Sequence, residues 1–161
     1  IGLQDSLKKD ATSLFNDFEA EELDRPIWKY SLSIGDSIFM ATDQQISVRL
    51  TVHTFTGGAH GMTHFYAFNY EVKNQRLLEP SEIINHAGQE QINSLLETNF
   101  ENSEKCFDSV PTLVKTSVLN LTPTDVCFTY EQYALGAYVC GIAEVNVPIK
   151  DLGENYLLKT H

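Results

Sequence analysis

The residues with the most chemical potential sit in two short runs. Thr56-Gly57-Gly58-Ala59-His60-Gly61 combines closely spaced glycines with an imidazole. Glycine permits positive φ and close backbone approach, and successive amide N–H groups in such a turn can form an anion-binding nest. His60 would then serve as a polar anchor or proton donor. The same run also fits a tight hairpin, with glycines demanded by backbone geometry and a histidine making a capping hydrogen bond. Its spacing is neither that of a Walker loop nor that of a dinucleotide fingerprint, both of which lead into a helix, whereas a strand follows here. The second run is Tyr130-Glu131-Gln132-Tyr133-Ala134-Leu135-Gly136-Ala137-Tyr138-Val139-Cys140-Gly141. Tyrosines offer broad amphipathic contact at low entropic cost; they equally well pack the edge of a sheet with their hydroxyls in water. Gly57, Gly58, His60, Gly61, Tyr130, Tyr133 and Tyr138 are the candidate binding residues.

Catalytic and metal-binding arrangements are harder to assemble. His53, His60 and His64 are close in sequence. On an extended strand His60 and His64 would share a face, with α-carbons ~13 Å apart. No cysteine or carboxylate stands beside them to complete a tetrahedral set. The expectation is therefore no metal and no cofactor. There is no Gly-x-Ser-x-Gly elbow, and no histidine neighbours a cysteine. Glu131, between Tyr130 and Tyr133, is one candidate acid, although an exposed hairpin residue explains it more simply. Non-catalytic function is the favoured reading. The three cysteines, Cys106, Cys127 and Cys140, match no zinc spacing, and the odd count leaves at least one thiol free or paired with another chain. If Tyr130 pairs with Ala137 in a hairpin, Cys127 falls opposite Cys140, as a cross-strand disulfide or as two neighbouring thiols.

The whole chain sets bounds on these readings. Its 161 residues suit one domain or two small, closely packed subdomains, and 42% hydrophobic content suffices for a real core. A formal net charge of −11, with no basic run beyond Lys8-Lys9, argues against nucleic acid; it either simply keeps the protein soluble or favours a basic partner. No apolar stretch approaches the length of a membrane span. The chain opens on Ile1 with no signal-peptide pattern, so a processed or trimmed product is expected, with any targeting segment lost from it.

Apolar residues at Leu3, Leu7, Ala11, Leu14, Phe15 and Phe18 line one face of a helix over Leu3–Leu23, broken at Asp24-Arg25-Pro26. From Ile27 the period becomes two. Trp28, Tyr30, Leu32 and Ile34 form one strand, Gly35-Asp36 a turn, and Ser37–Met40, Ile46–Phe55 and Thr63–Val72 further strands, with a turn at Asn74-Gln75. Connections this short imply an antiparallel meander. Pro80-Ser81-Glu82 starts a helical stretch that Gly88 interrupts before Glu90–Phe100. Pro111 rules out one uninterrupted helix over Glu101–Val118. Strands return at Val126–Tyr130 and Ala137–Val147. The class is α+β, antiparallel sheets with helices on one side, divided into residues 1–72 and 73–161.

Taken together, several of these motifs resemble a known family. Thr56–Gly61 with Phe65-Tyr66-Ala67-Phe68-Asn69-Tyr70, then Leu77-Leu78-Glu79-Pro80-Ser81-Glu82-Ile83-Ile84, then Tyr130–Gly141 with Glu144-Val145-Asn146-Val147-Pro148, is similar in order and spacing to the RsiV-like and PdaC-like extracytoplasmic domains of unknown function. The match runs over roughly residues 46–152. The resemblance implies that residues 1–72 are a PdaC-like accessory part and 73–161 an RsiV-like C-terminal part. It also implies a module of the bacterial cell envelope, periplasmic or surface-exposed, lipid- or membrane-anchored in the full-length protein.

In RsiV-type anti-sigma factors the domain binds lysozyme; in PdaC-type proteins it accompanies a separate polysaccharide deacetylase domain. No deacetylase motif, anti-sigma segment or membrane span occurs in this chain. The expected function is thus recognition of a basic, lysozyme-like protein or of peptidoglycan. The alternatives are a glycan-modifying enzyme using His60 with a carboxylate, a deacetylase accessory domain, or a structural part of a longer envelope protein.

Overall fold

The computed structural model describes residues 9 and 30–158. The helix expected over Leu3–Leu23, its break at Asp24-Arg25-Pro26 and Trp28 lie outside the described residues, apart from Lys9, which is helical. The fold is α+β. One antiparallel sheet holds β1 (Ser31–Ala41), β2 (Gln45–Phe55), β3 (Met62–Glu71) and the short β4 (Arg76–Leu77), in that order. The other holds β5 (Val118–Leu121), β6 (Asp125–Tyr130) and β7 (Ala143–Pro148), also in order. Between the sheets in sequence come α1 (Pro80–Ile83) and α2 (Gln89–Asn99); α3 (Ile149–Leu152) follows β7.

Local chemistry explains where these elements begin and end. Gly35-Asp36 is not a turn: β1 runs through it, and the chain reverses at Thr42–Gln45. There the Thr42 hydroxyl accepts the amides of Gln44 and Gln45, while Thr42 N–H donates to the Gln45 carbonyl. A side chain that satisfies two backbone donors fixes a reversal more firmly than a Gly-Asp pair inside an apolar alternation. The turn at Asn74-Gln75 is present, with Gln75 at φ 50°. Pro80-Ser81-Glu82 does open a helix. Pro80 sits in its first turn, and Glu79 and Glu82 form a reciprocal capping box. The Glu79 N–H and then Arg76 hold the Glu82 carboxyl below the usual carboxylate range. Gly88 closes a 3₁₀ turn and caps α2. Strand β5 has no counterpart in the sequence reading, being short and buried along most of its length.

The chain falls into two compact units, Ile1–Ser33 with His53–Met62, and Ile34–Val52 with Thr63–His161. The second unit contains the core. In the three-stranded sheet, Leu119, Phe128 and Val145 lie opposite one another, as do Leu121, Val126 and Val147. This apolar face is buried in one cluster with Ile92 and Leu96 of α2, Ile83, Ile84 and Leu152. Alternation at period two therefore gives β6 one face for the helices.

The other face is largely polar; its residues on β5 and β6 are buried or half-buried, whereas Glu144 and Asn146 on β7 are exposed. Asn120, Cys127 and Asn146 form one cross-strand row; Val118, Thr129 and Glu144 form the next. This face meets β2 and β3 through directed bonds. The Ser47 hydroxyl, 0% exposed, donates to Asn69 Oδ1 (2.7 Å) and accepts from Asn120 Nδ2 (3.0 Å) and Leu121 N–H (2.9 Å). Asn69 Nδ2 donates to the Leu119 carbonyl. Nearby, the Arg49 guanidinium lies 4.9 and 4.8 Å from the Phe39 and Phe65 ring centroids and donates to Thr129 Oγ1 and Glu144. Stacking against two rings offsets part of the cost of desolvating that cation.

Ser47→Ala leaves three buried partners short of a bond and should cost about 2–3 kcal/mol. The thermal midpoint, read by circular dichroism, should fall by about 5–10 °C, whereas the exposed Ser81→Ala should change stability by less than about 0.5 kcal/mol.

Candidate functional site

The glycine run belongs to the first compact unit and is shaped by two separate demands. Gly57 and Gly58 take φ of 96° and 91°, a region that side-chain-bearing residues seldom occupy. Gly61 is needed for space: a Cβ there would stand 2.6 Å from both His53 Nε2 and the Thr54 carbonyl. His60 is exposed, with Nδ1 3.2 Å from the Gly61 carbonyl, to which the Nδ1–H tautomer donates. Among the described residues, no group of three or more His, Cys, Asp or Glu is placed to hold a metal ion. The described histidine–carboxylate pair is formed by His64 with Glu131, at 3.2 Å.

The tyrosine run differs from the hairpin expected of it. Strand β6 ends at Tyr130 and β7 begins at Ala143, and these two residues pair; Tyr130 does not face Ala137. Residues 131–142 form a loop containing a 3₁₀ turn at Tyr138–Cys140, with positive φ at Tyr133 (71°) and Gly141 (76°). The cysteine pairing changes with the register. Cys127 lies opposite Asn120 and Asn146, a buried free thiol that desolvation pushes up to about 11. Cys140 instead forms a disulfide with Cys106, with α-carbons 5.6 Å apart.

Four sets of contacts fix this loop. The first is the disulfide. At the second, the buried Leu135 offers its carbonyl to the Asp108 and Ser109 amides, and Gly136 passes so close to Phe107 that a Cβ would lie 3.2 Å from its α-carbon. Third, Glu131 accepts the Phe65 N–H and pairs with His64, so the residue considered as a catalytic acid serves to cap the β3 backbone. Finally, Gln132 Nε2 donates to Thr63 Oγ1. A loop tied at so many points presents its outward side chains with little ordering entropy left to lose on contact.

The three candidate tyrosines separate. Tyr130 is 0% exposed, its hydroxyl donating to the Thr112 carbonyl and accepting from Thr116 Oγ1; burial pushes the phenol up to about 12. It supports the loop from within the core and offers no contact surface. Tyr133, 56% exposed, stands beside half-buried Tyr138, ring centroids 5.7 Å apart. The sequence reading missed the exposure of several valines. Val139 is 86% exposed, and the disulfide-bonded segment carries Val110 and the 77% exposed Val114. Val139 reads as a strand residue until the loop is known. The signal available in the sequence was the cysteine two positions after Tyr138.

Comparison with known proteins gives fold and family context. Residues 73–150 match the family described as "Protein of unknown function (DUF3298)". A member of that family from Bacteroides fragilis NCTC 9343 has a similar solved structure, with TM-score 0.71 and 19% identity over 92% of this chain and 62% of that one. A DUF3298 family protein from Pseudomonas aeruginosa PAO1 is similar with TM-score 0.64 and 20% identity, over 82% of this chain and 66% of that one. This chain thus spans less than two thirds of either structure. No curated protein matches it.

Two outcomes follow. With the disulfide intact, a thiol reagent should label no cysteine in the native protein and one, Cys127, after denaturation, as counted by mass spectrometry. Buried Cys127 and Tyr130 have raised folded pKa values, so their neutral forms stabilise fully below the unfolded values of 9.0 and 10.0. Stability should be lost as pH rises through about 11 and about 12, and urea midpoints should show a shallower decline in Tyr130→Phe.

Proposed function

We propose that this chain is a non-catalytic binding module of the bacterial cell envelope, working outside the cytoplasm, whose tyrosine loop engages a basic protein surface of the lysozyme kind. The observation that carries this reading is the pinned loop 131–142. It sets Tyr133, Tyr138 and Val139 on a frame tied by the Cys106–Cys140 disulfide. Aromatic and aliphatic anchors on a prearranged frame are what protein recognition favours.

The disulfide and the charge support the proposal. Disulfides persist in the periplasm and at cell surfaces and are rare in reducing cytosol. The net charge of −11 favours encounter with a cationic partner. On the chain leading into and beyond Cys106, Glu101, Glu104 and Asp108 are exposed, as are Lys105 and Lys115. The RsiV-like resemblance points to lysozyme, and the PdaC-like one to peptidoglycan beside a catalytic neighbour. The enzyme alternative called for His60 to work with a carboxylate, whereas Glu131 is occupied in holding Phe65 and His64.

Calorimetric titration of lysozyme should give saturable binding that weakens from 50 to 200 mM salt, on the order of a few-fold as charge is screened. Tyr133→Ala should weaken it about tenfold or more, with the thermal midpoint retained. Absence of saturable heat at low salt, or retention on peptidoglycan sacculi alone, would rule out the protein-recognition reading.

A further inference from the structure

A cleft of about 620 Å³ opens at the start of α2, where the 3₁₀ turn His86–Gly88 meets the 3₁₀ turn Gly153–Asn155. Its polar lining consists of the amides of Asn85, Gln89, Gln91 and Asn155 and the carboxylates of Glu90 and Glu154. Among the described residues, no lysine, arginine or aromatic ring lines it. The size lies within the range of about 300–1,000 Å³ typical of small-molecule sites, but the lining is far more polar than that of most such sites.

That chemistry narrows the ligand. Two carboxylates without a cation repel phosphates and other anions. Scarcity of apolar surface gives lipids and aromatic compounds little to bind. Primary amides both donate and accept, as hydroxyl groups do, and the carboxylates add acceptors. The α2 N-terminus, capped by Gly88 without a side-chain bond, adds backbone N–H donors at the same end. The set is complementary to hydroxyl groups.

The floor of the cleft is built in advance. Asn155 is 6% exposed; its Nδ2 donates to Gln91 Oε1 (2.9 Å) and its Oδ1 stands 3.5 Å from Asn85 Nδ2. The Asn85 amide donates to the Asn155 carbonyl (2.9 Å). Gly88 completes the arrangement, since a Cβ there would fall 1.8 Å from Asn155 Oδ1. Fixed amides can meet a ligand without first being ordered. The geometry points to a binding site for a short neutral saccharide in this cleft. The site shares no residue with loop 131–142 and stands or falls independently of the protein-recognition reading.

Amide-resolved NMR titration with chitotriose and maltotriose, to roughly 20 mM, covers the about 1–10 mM dissociation constants expected of an open polar site. Saturable shifts should cluster at residues 85–91 and 153–156 with at least one of the two sugars. Glu90→Ala, an exposed change, should weaken binding about threefold or more at unchanged thermal midpoint. Gly88→Ala should abolish binding by displacing the Asn155 amide. No saturable shift with either sugar, shifts confined to residues 131–142, or unchanged affinity in Glu90→Ala would overturn the inference. So would inorganic phosphate producing the same shifts more tightly than the sugars.

Discussion

Two sheets can slide past each other when only apolar side chains lie between them, because hydrophobic burial has no direction. Here they cannot, since Ser47 and Asn69 of one sheet bond side chains and backbone of β5 in the other. Each bond has a required length and angle, and a shift of one residue would strand several buried polar groups. Arg49 adds a second fixed point against Thr129 and Glu144, clamped between Phe39 and Phe65. The net energy of such joints is modest, and their value lies in choosing one arrangement among many of similar apolar burial.

The position of the tyrosine loop follows from that choice. Once the two sheets are fixed against each other, Thr63, His64 and Phe65 stand where Gln132 and Glu131 can reach them. The loop then needs only the disulfide and Leu135 to complete its shape. Rigidity in the loop is thus inherited from polar bonds elsewhere in the same unit. The amide cleft has a comparable origin, because the Ile84–Tyr156 bridge and the Asn85–Asn155 bond bring the chain's last turn against the start of α2.

Local features were legible in the sequence wherever a short-range interaction decides. The alternation in Ile46–Phe55 and Thr63–Val72 yields β2 and β3 to within a residue or so, and Pro80-Ser81-Glu82 marks a helix start. Gly57 and Gly58 show the positive φ that their clustering suggested. What escaped the sequence depends on partners distant along the chain. The burial of Cys127 and Thr129 is an example: Arg49 bonds Thr129 from 80 positions away, and Ser47 bonds Asn120, the cross-strand neighbour of Cys127. Tyr130 and Tyr133 are chemically identical, and only the paired end of β6 sends one inward and the other outward. The Cys106–Cys140 link spans 34 positions, a separation at which no periodicity helps.

Those three cysteines also bear on how the chain matures under oxidation. Bonding Cys127 to either of the others would require drawing the central strand of the smaller sheet out from between its neighbours. A chain whose core has already assembled conceals the thiol that would scramble the product, so correct pairing becomes the default under oxidising conditions. Premature oxidation of the extended polypeptide lacks that safeguard, which makes the order of collapse and thiol chemistry a determinant of yield.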